Sequence, residues 1–232
     1  INNPWILVIT GLMTGFPNGA YICSWYNKNN PENRLGDMLA GIINIPSPAF
    51  LISYVYINIL EKCISLPMFL ALTYTPVILC SYMTILLFRD KDNKKDNAPH
   101  IKNDKKLIFH FFEEAVDSSI TALKLGAYVI IFSVIVNIIM HFSQSNTAGL
   151  LISYLFEISN GLAIIKNAGI PMNITVLLTV LLDAFGGVCI IMQTKSICSS
   201  YISIKKYIYQ KLVLCIVTLA MTYLLIYVLN IL

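Results

Sequence analysis

The chain has 232 residues, of which 57% are hydrophobic and only 12% are charged, and its formal net charge is +4. Soluble domains carry about 25% charged residues, so this composition excludes an ordinary water-soluble globular domain. The net charge is small, and the most basic segment (89–106) has no aromatic residues on which bases could stack. We therefore predict no nucleic-acid partner.

Long uncharged runs predict helices that cross a lipid bilayer. No Asp, Glu, Lys or Arg occurs in residues 38–60, 63–88, 125–156 or 212–232. Each run exceeds the roughly 20 residues that a helix needs to cross the hydrocarbon core. The sequence thus predicts an all-α, polytopic integral membrane protein whose first partner is the lipid bilayer.

The first membrane half is predicted over residues 1–88, and it contains two interrupted apolar segments. The first segment carries Gly-Phe-Pro-Asn-Gly at 15–19, and the second carries Asn-Ile-Pro-Ser-Pro at 44–48. Proline removes a helix hydrogen bond and clashes with the preceding turn, so both segments are expected to be broken. The chain begins inside an apolar stretch without an initiator Met, and we expect it to be truncated at its N-terminus.

A charged segment at 89–106 is predicted to be a cytoplasmic linker between two halves. It holds seven of the 16 basic residues, and the segment 195–211 holds four lysines and no acid. Cytoplasmic loops of membrane proteins are enriched in Lys and Arg. Both segments are therefore expected on the cytoplasmic side.

The second half, residues 107–232, is predicted to open with an amphipathic helix that precedes a span at 125–142. Its polar positions recur at helical spacing; they are His110, Glu113, Glu114, Asp117, Ser118, Thr121 and Lys124. The pattern fits a helix in the interface plane and equally a helix packed on the membrane bundle.

Topology predicts a re-entrant hairpin in the second half. Three apolar segments lie between the two cytoplasmic loops, and an even number of crossings must separate those loops. One of the glycine-containing segments, 147–165 or 170–194, should therefore enter the membrane and return. Non-helical backbone at that depth survives only against protein or a water-filled cavity. The predicted hairpin or hinge positions are Gly15, Pro17, Asn18, Gly19, Pro46, Pro48 and Gly161.

A short internal similarity favours two related halves in inverted arrangement. "GFPNGAYI" (15–22) and "AFGGVCII" (184–191) share a Phe, neighbouring small residues and an apolar continuation. Paired interrupted segments in two halves indicate a transporter binding site.

Two acidic residues lie within apolar segments, Glu157 and Asp183. An ionisable residue at membrane depth costs about 2.5–3.5 kcal/mol or more and is a functional candidate by default. The alternative is that each lies near an interface or pairs with a lysine such as Lys166. The candidate solute- or ion-binding residues are Glu157, Asn160, Asp183, Gly186, Gly187, Gln193, Asn44 and Ser47.

The sequence contains no motif that indicates catalysis, a cofactor or a metal site. The three histidines are dispersed without HExxH spacing, and no two of the six cysteines form CxxC. We therefore predict no catalytic residues, no cofactor, no metal site and no enzymatic activity.

Four separated motifs resemble a known family. They are "GFPNGA" (15–20), "PSPAF" (46–50), "FEISNG" (156–161) and "FGGVCIIMQT" (185–194). In this order they resemble sporulation integral membrane proteins of the YlbJ type, which carry the nucleoside-recognition (Gate) domain. One departure is that the family has two asparagines before Ser-Pro, whereas this chain has Asn44-Ile45-Pro46 there.

The resemblance implies a two-half membrane protein needed for spore formation, above all for the cortex. It also implies a distant relation to nucleoside transporters and to ferrous-iron permeases. The expected location is a bacterial cell membrane, either that of the mother cell or that of the forespore.

Together these observations predict a permease-like protein that moves a nucleoside-like or other small solute, coupled to protons or cations. The alternative is a non-transporting membrane scaffold for cortex assembly. A third hypothesis, a metal-ion gate, finds no obvious ligands among the dispersed His and Cys. A homo-oligomer remains open in every case.

Overall fold

The computed structural model describes residues 3–31, 34–89, 107–143, 147–198 and 201–228. Within these ranges the chain consists of helices and short connections, and it contains no strand. Residues 90–106, nearly all of the predicted charged linker, lie outside the described residues.

The helices of the described ranges are numbered in chain order. They are α1 (Pro4–Thr14), α2 (Asn18–Asn29), α3 (Leu35–Ile43), α4 (Pro48–Phe50), α5 (Leu66–Arg89), α6 (Leu107–Phe142), α7 (Thr147–Phe156), α8 (Ile158–Asn167), α9 (Met172–Phe185), α10 (Gly187–Cys198) and α11 (Ile204–Tyr223). A π-helix over Leu51–Ile59 continues α4, and a π-helical turn over Leu224–Val228 continues α11.

Five stretches of the described chain are long and apolar enough to cross a membrane. They are Leu35–Ile59, Leu66–Phe88, Ala115–Phe142, Met172–Cys198 and Ile204–Ile226. Large apolar side chains on their outer faces are exposed, as in Leu87, Leu123 and Ile216. Such surfaces are compatible with lipid, since lipid tails are as apolar as leucine. The prediction of an all-α polytopic membrane protein is confirmed at this level.

Two of the five spans are broken in the middle, at positions predicted from proline and glycine. The first span leaves the helix after Ile43 and resumes at Pro48, where the Ser47 hydroxyl accepts a hydrogen bond from Phe50 N (3.4 Å) and caps α4. The second span breaks at Gly186 and Gly187, whose φ angles are +84° and +86°. Glycine adopts this left-handed region without the steric cost that a Cβ brings.

Two pairs of short helices form helical hairpins. In each pair, α1 with α2 and α7 with α8, the two helices pack against each other. The helices of the second hairpin have 10 residues each and are therefore about 15 Å long, half the thickness of the hydrocarbon core. The predicted second-half hairpin thus corresponds to residues 147–167, and the segment 170–194 is the broken span. Whether the hairpin enters the membrane and returns on the same side stays a prediction.

The order of elements is the same on both sides of α6. A hairpin, a broken span and a continuous span follow one another as α1–α2, α3–α4, α5 and again as α7–α8, α9–α10, α11. In this order the break at 15–17, inside the first hairpin, corresponds to the break at 157, inside the second hairpin. The similarity between 15–22 and 184–191 instead pairs a hairpin with a broken span. The relation between two halves stays a prediction.

The amphipathic helix does not end before the span. α6 runs without interruption from Leu107 to Phe142, so the predicted boundary at residue 125 is wrong. Gly126 is the glycine nearest that boundary, and a single glycine costs a helix about 1 kcal/mol without breaking it. The described polar side chains Glu113 and Asp117 are exposed.

α11 joins the broken spans, because it packs against α3, α9 and α5. Its contact with α3 is polar at one end, where Lys206 Nζ and Ser203 N each donate to the Asp37 carboxylate at 2.7 Å. One turn further, Gln210 Oε1 accepts from Gly41 N at 2.7 Å. A Cβ built on Gly41 would lie 2.5 Å from Tyr207 O. The two backbones can therefore meet this closely only with glycine at position 41.

Replacing Gly41 by alanine should lower the stability of the bundle. The added methyl group has no room against α11, and overpacking of this kind costs about 1–3 kcal/mol. Thermal unfolding in detergent measures the effect. The control is Gly126→Ala, since a Cβ at Gly126 has no neighbour within 4 Å. Equal unfolding temperatures for both variants would contradict the close contact of α3 with α11.

Candidate functional site

A cavity of about 340 Å³ lies where the helix breaks meet. Its lining comes from the tip of the first hairpin, the break of the first span, the tip of the second hairpin, α10 and α6. The lining residues are Phe16, Pro17, Pro46, Ser47, Phe50, Leu125, Gly126, Val129, Glu157, Ile158, Ser159, Ile190 and Gln193. Three predicted binding residues, Glu157, Ser47 and Gln193, are thus brought to one cavity, together with the hinge prolines 17 and 46.

The first hairpin tip contacts the breaks of both spans. A Cβ built on Gly15 would lie 2.5 Å from Ser47 N, in the first broken span. The Phe16 ring lies against Gly186 of the second broken span, where an added Cβ would come within 2.7 Å of the ring. Gly19 lies against the end of α3, and Asn18 beside it is exposed. The breaks therefore form one contiguous region.

The second hairpin tip reaches the same region from the other side. A Cβ built on Gly187 would lie 3.2 Å from Phe156 O, at the end of α7. Gly161 lies inside the hairpin, where its added Cβ would be 2.6 Å from Tyr154 O. Four predicted breaks (15–19, 44–48, 157–161 and 183–187) therefore lie next to one another.

Glu157 is the single residue between α7 and α8, and its carboxylate caps α8. Oε1 accepts from Ser159 N (3.1 Å), and Oε2 accepts from Asn160 N (2.9 Å) and from Asn160 Nδ2 (2.9 Å). A negative charge is favoured at the positive end of a helix. The predicted proximity of Glu157 and Asn160 is present, although Glu157 precedes the helix instead of belonging to it.

No lysine neutralises Glu157 within the described ranges. Lys166 binds Glu61 Oε1 at 2.9 Å and Asn58 O at 2.6 Å, so the alternative of a Glu157–Lys166 pair is wrong. The Glu157 side chain is 2% exposed and lines the cavity. The site therefore holds a carboxylate whose described partners are neutral hydrogen-bond donors.

Asn44 lies behind the cavity and connects three helices. Its side chain is fully buried. Oδ1 accepts from Ala20 N of α2 at 3.3 Å. Nδ2 donates to Tyr207 OH of α11 at 2.8 Å and to Thr194 Oγ1 of α10 at 3.3 Å. Asn44 is not among the residues that line the cavity, and its three bonds bridge α2, α10 and α11, so it holds the break in place.

Lys211 is the functional candidate that the sequence analysis missed. Its side chain is fully buried, and Nζ donates to Asn44 O and, at 2.9 Å, to Ala184 O. Nζ also lies 5.0 Å from the centre of the Phe16 ring. Counting Lys211 with the cytoplasmic lysines was wrong. It lies two turns inside α11, and its place within an apolar helix was the signal that could have identified it.

Asp183 and Gln193 have different surroundings. Asp183 is fully buried in α9 away from the cavity, and its two carboxyl oxygens have no hydrogen-bond partner among the described residues. Gln193 of α10 donates to Leu125 O of α6 at 3.3 Å and to Cys189 Sγ at 3.5 Å. Gln193 thus joins α6 to the cavity, whereas Asp183 belongs to the interior of the bundle.

The described residues offer no cluster of three or more His, Cys, Asp or Glu side chains that could hold a metal ion. The lining of the cavity is mostly apolar, with one carboxylate and several neutral polar groups. The chain matches no protein-family model, no curated protein and no solved structure. The resemblance to the nucleoside-recognition family therefore stays a prediction from the sequence motifs.

Asn44→Ala should destabilise the protein, because it leaves Ala20 N without its acceptor and Tyr207 OH without its donor. A buried polar group without a partner costs about 1–3 kcal/mol. Thermal unfolding in detergent measures the loss. Asn29→Ala is the control, since Asn29 is exposed and donates only to Trp25 O in its own helix. The role given to Asn44 is wrong if both variants unfold at the wild-type temperature.

Proposed function

We propose that this protein is a permease-like membrane protein that moves a small solute through the cavity between its two hairpin tips. The observation that carries the proposal is a cavity of about 340 Å³ that is lined by three helix breaks, with Glu157 in its wall. The fourth break contacts the lining residue Phe16 through Gly186. Small-molecule sites are concave and mostly apolar, and a few polar groups in them orient the ligand. Broken helices that meet at a site between two hairpins are typical of transporters.

The lining suits a flat solute with a polar rim. Two aromatic rings, Phe16 and Phe50, line the cavity beside the carboxylate of Glu157 and the amide of Gln193. Aromatic faces stack on planar rings, and an amide both donates and accepts hydrogen bonds. A nucleoside or nucleobase has this shape and chemistry. The solute class agrees with the family that the sequence motifs resemble.

Glu157 is the group that we propose for coupling to protons or cations. Its charge state and the structure of the second hairpin are linked, since the ionised carboxylate accepts three hydrogen bonds at the start of α8. Protonation removes the charge that favours this end of the helix and turns one oxygen into a donor. A proton or a cation at Glu157 would therefore shift the hairpin tip, and the solute would shift the affinity for the proton in return.

The wider setting comes from the resemblance. We propose two related halves, each with a re-entrant hairpin and a broken span, in the membrane of a spore-forming bacterium. The mother-cell or forespore membrane is the location that this family implies, and spore formation is the process.

A second candidate function is a non-transporting scaffold for cortex assembly. The observation in its favour is that Asn44 and Lys211 are fully buried outside the cavity lining and use their polar groups to join different helices. Breaks held in this way could serve close packing alone. Glu157 separates the two candidates, because it faces the cavity and has no basic partner among the described residues.

The test is uptake of a small-solute panel by proteoliposomes at two pH values, paired with thermal unfolding in detergent. The panel holds nucleosides, nucleobases, dipicolinate, amino acids and divalent metal ions. A ligand at about 100 times its Kd should add about 2.7 kcal/mol to the stability of the folded protein. One selective solute should both stabilise the protein and enter the vesicles.

Glu157→Gln should remove the pH dependence of this uptake, because an amide cannot take up or release the proton. The matched control is Glu113→Gln, which alters an exposed acid of α6 and should leave uptake unchanged. Uptake by Glu157→Gln with wild-type pH dependence would rule out coupling at this residue. A panel without any stabiliser or any uptake would favour the scaffold.

A further inference from the structure

The Lys211 ammonium lies between the C-terminal ends of two helices. Its first acceptor, Asn44 O, belongs to the residue that follows α3, and its second, Ala184 O, belongs to the last turn of α9. The final carbonyl groups of a helix have no partner inside the helix. Lys211 therefore uses acceptors that both broken spans leave free.

The charges at this point balance without a carboxylate. Each helix end carries roughly −0.5 elementary charge, so two ends together amount to about one negative charge. The ammonium supplies one positive charge. No acidic side chain among the described residues forms an ion pair or hydrogen bond with Lys211.

The surroundings of the ammonium are those of a small monovalent cation. Two carbonyl oxygens bind it, the Phe16 ring lies 5.0 Å from Nζ and the Tyr207 ring lies 5.9 Å away. Aromatic faces attract cations, and unwound carbonyls at helix C-termini coordinate coupling cations in transporters with broken helices. A metal ion and the ammonium cannot occupy this position together.

We infer that Lys211 is a tethered cation, which fills a monovalent-cation site formed by the carbonyl groups of Asn44 and Ala184. The side chain supplies from within the protein the charge that Na⁺ or K⁺ would otherwise bring to the junction of the two broken spans. No alkali ion binds there while Lys211 is present. For the proposed permease, on which this consequence rests, solute movement is then independent of Na⁺, and the proton at Glu157 remains as the coupling ion.

Removal of the side chain should open the site to free cations. Lys211→Ala leaves both carbonyl groups without a donor and leaves the space of a propylammonium group empty. We expect its unfolding temperature in choline chloride to fall by about 5 °C or more. Addition of Na⁺, K⁺ or n-propylammonium at constant ionic strength should restore at least half of that loss.

Three further proteins make the comparison specific. The wild type and Lys205→Ala, an exposed lysine of the same helix, should unfold at the same temperature in sodium and choline salts. Lys211→Met fills the space without a charge, so it should be destabilised and should not recover with any cation.

The inference would be overturned if none of the three cations raised the unfolding temperature of Lys211→Ala. It would also be overturned if the wild type unfolded at a higher temperature in sodium salts than in choline salts. Lys211→Gln provides the test if the alanine variant does not fold. Its amide keeps an N–H donor and lacks the charge, so wild-type stability for Lys211→Gln would overturn the inference by showing that a hydrogen bond alone suffices.

Unfolding is measured without solute, so a protein that transports nothing can still show the recovery. The two proposals therefore fail separately.

Discussion

Helix breaks inside an apolar bundle expose backbone N–H and C=O groups that lipid cannot satisfy, and this constraint governs the whole structure. Each unsatisfied group costs several kcal/mol in hydrocarbon. The four breaks of this chain lie against one another, where side chains and neighbouring backbone supply the partners. Their convergence is therefore a requirement of stability as well as a means of building a site.

The partners are distributed according to the end of the helix that needs them. Oxygen atoms of Ser47 and Glu157 accept from the free N–H groups where α4 and α8 begin. The ammonium of Lys211 donates to the free carbonyl groups where α3 and α9 end. At these four helix ends, acceptors at the N-termini and a cation at the C-termini agree with the helix dipole. Of these side chains, Ser47 and Glu157 also line the cavity, so the groups that cap α4 and α8 contribute to its electrostatics as well.

Much of this arrangement could be predicted from local sequence signals. Uncharged runs and the apolar segment 170–194 predicted the spans, and Pro46, Pro48 and the Gly186–Gly187 pair predicted the breaks, because these residues act on their own backbone. Glu157 was noticeable as an acid in an apolar run.

Other features could not be predicted locally. Whether a broken segment folds back as a hairpin or continues across the membrane depends on contacts with distant helices, and no local sequence pattern indicates those contacts. The burial of Lys211 has the same origin, since its two acceptors lie 167 and 27 residues away in the chain. α6 was wrongly divided at residue 125 because its amphipathic pattern of polar side chains ends at Lys124, although the helical backbone continues.

The short length of the second hairpin has an electrical consequence. Helices of 10 residues cover about half of the hydrocarbon thickness, so a re-entrant hairpin would hold Glu157 near the middle of the membrane. Moving one elementary charge across the full membrane is worth about 2.3 kcal/mol per 100 mV, so a proton that reached Glu157 from the positive side would gain about half of that, and one from the negative side would pay about half. In the proposed permease, membrane voltage would then act on coupling at Glu157 together with the proton gradient.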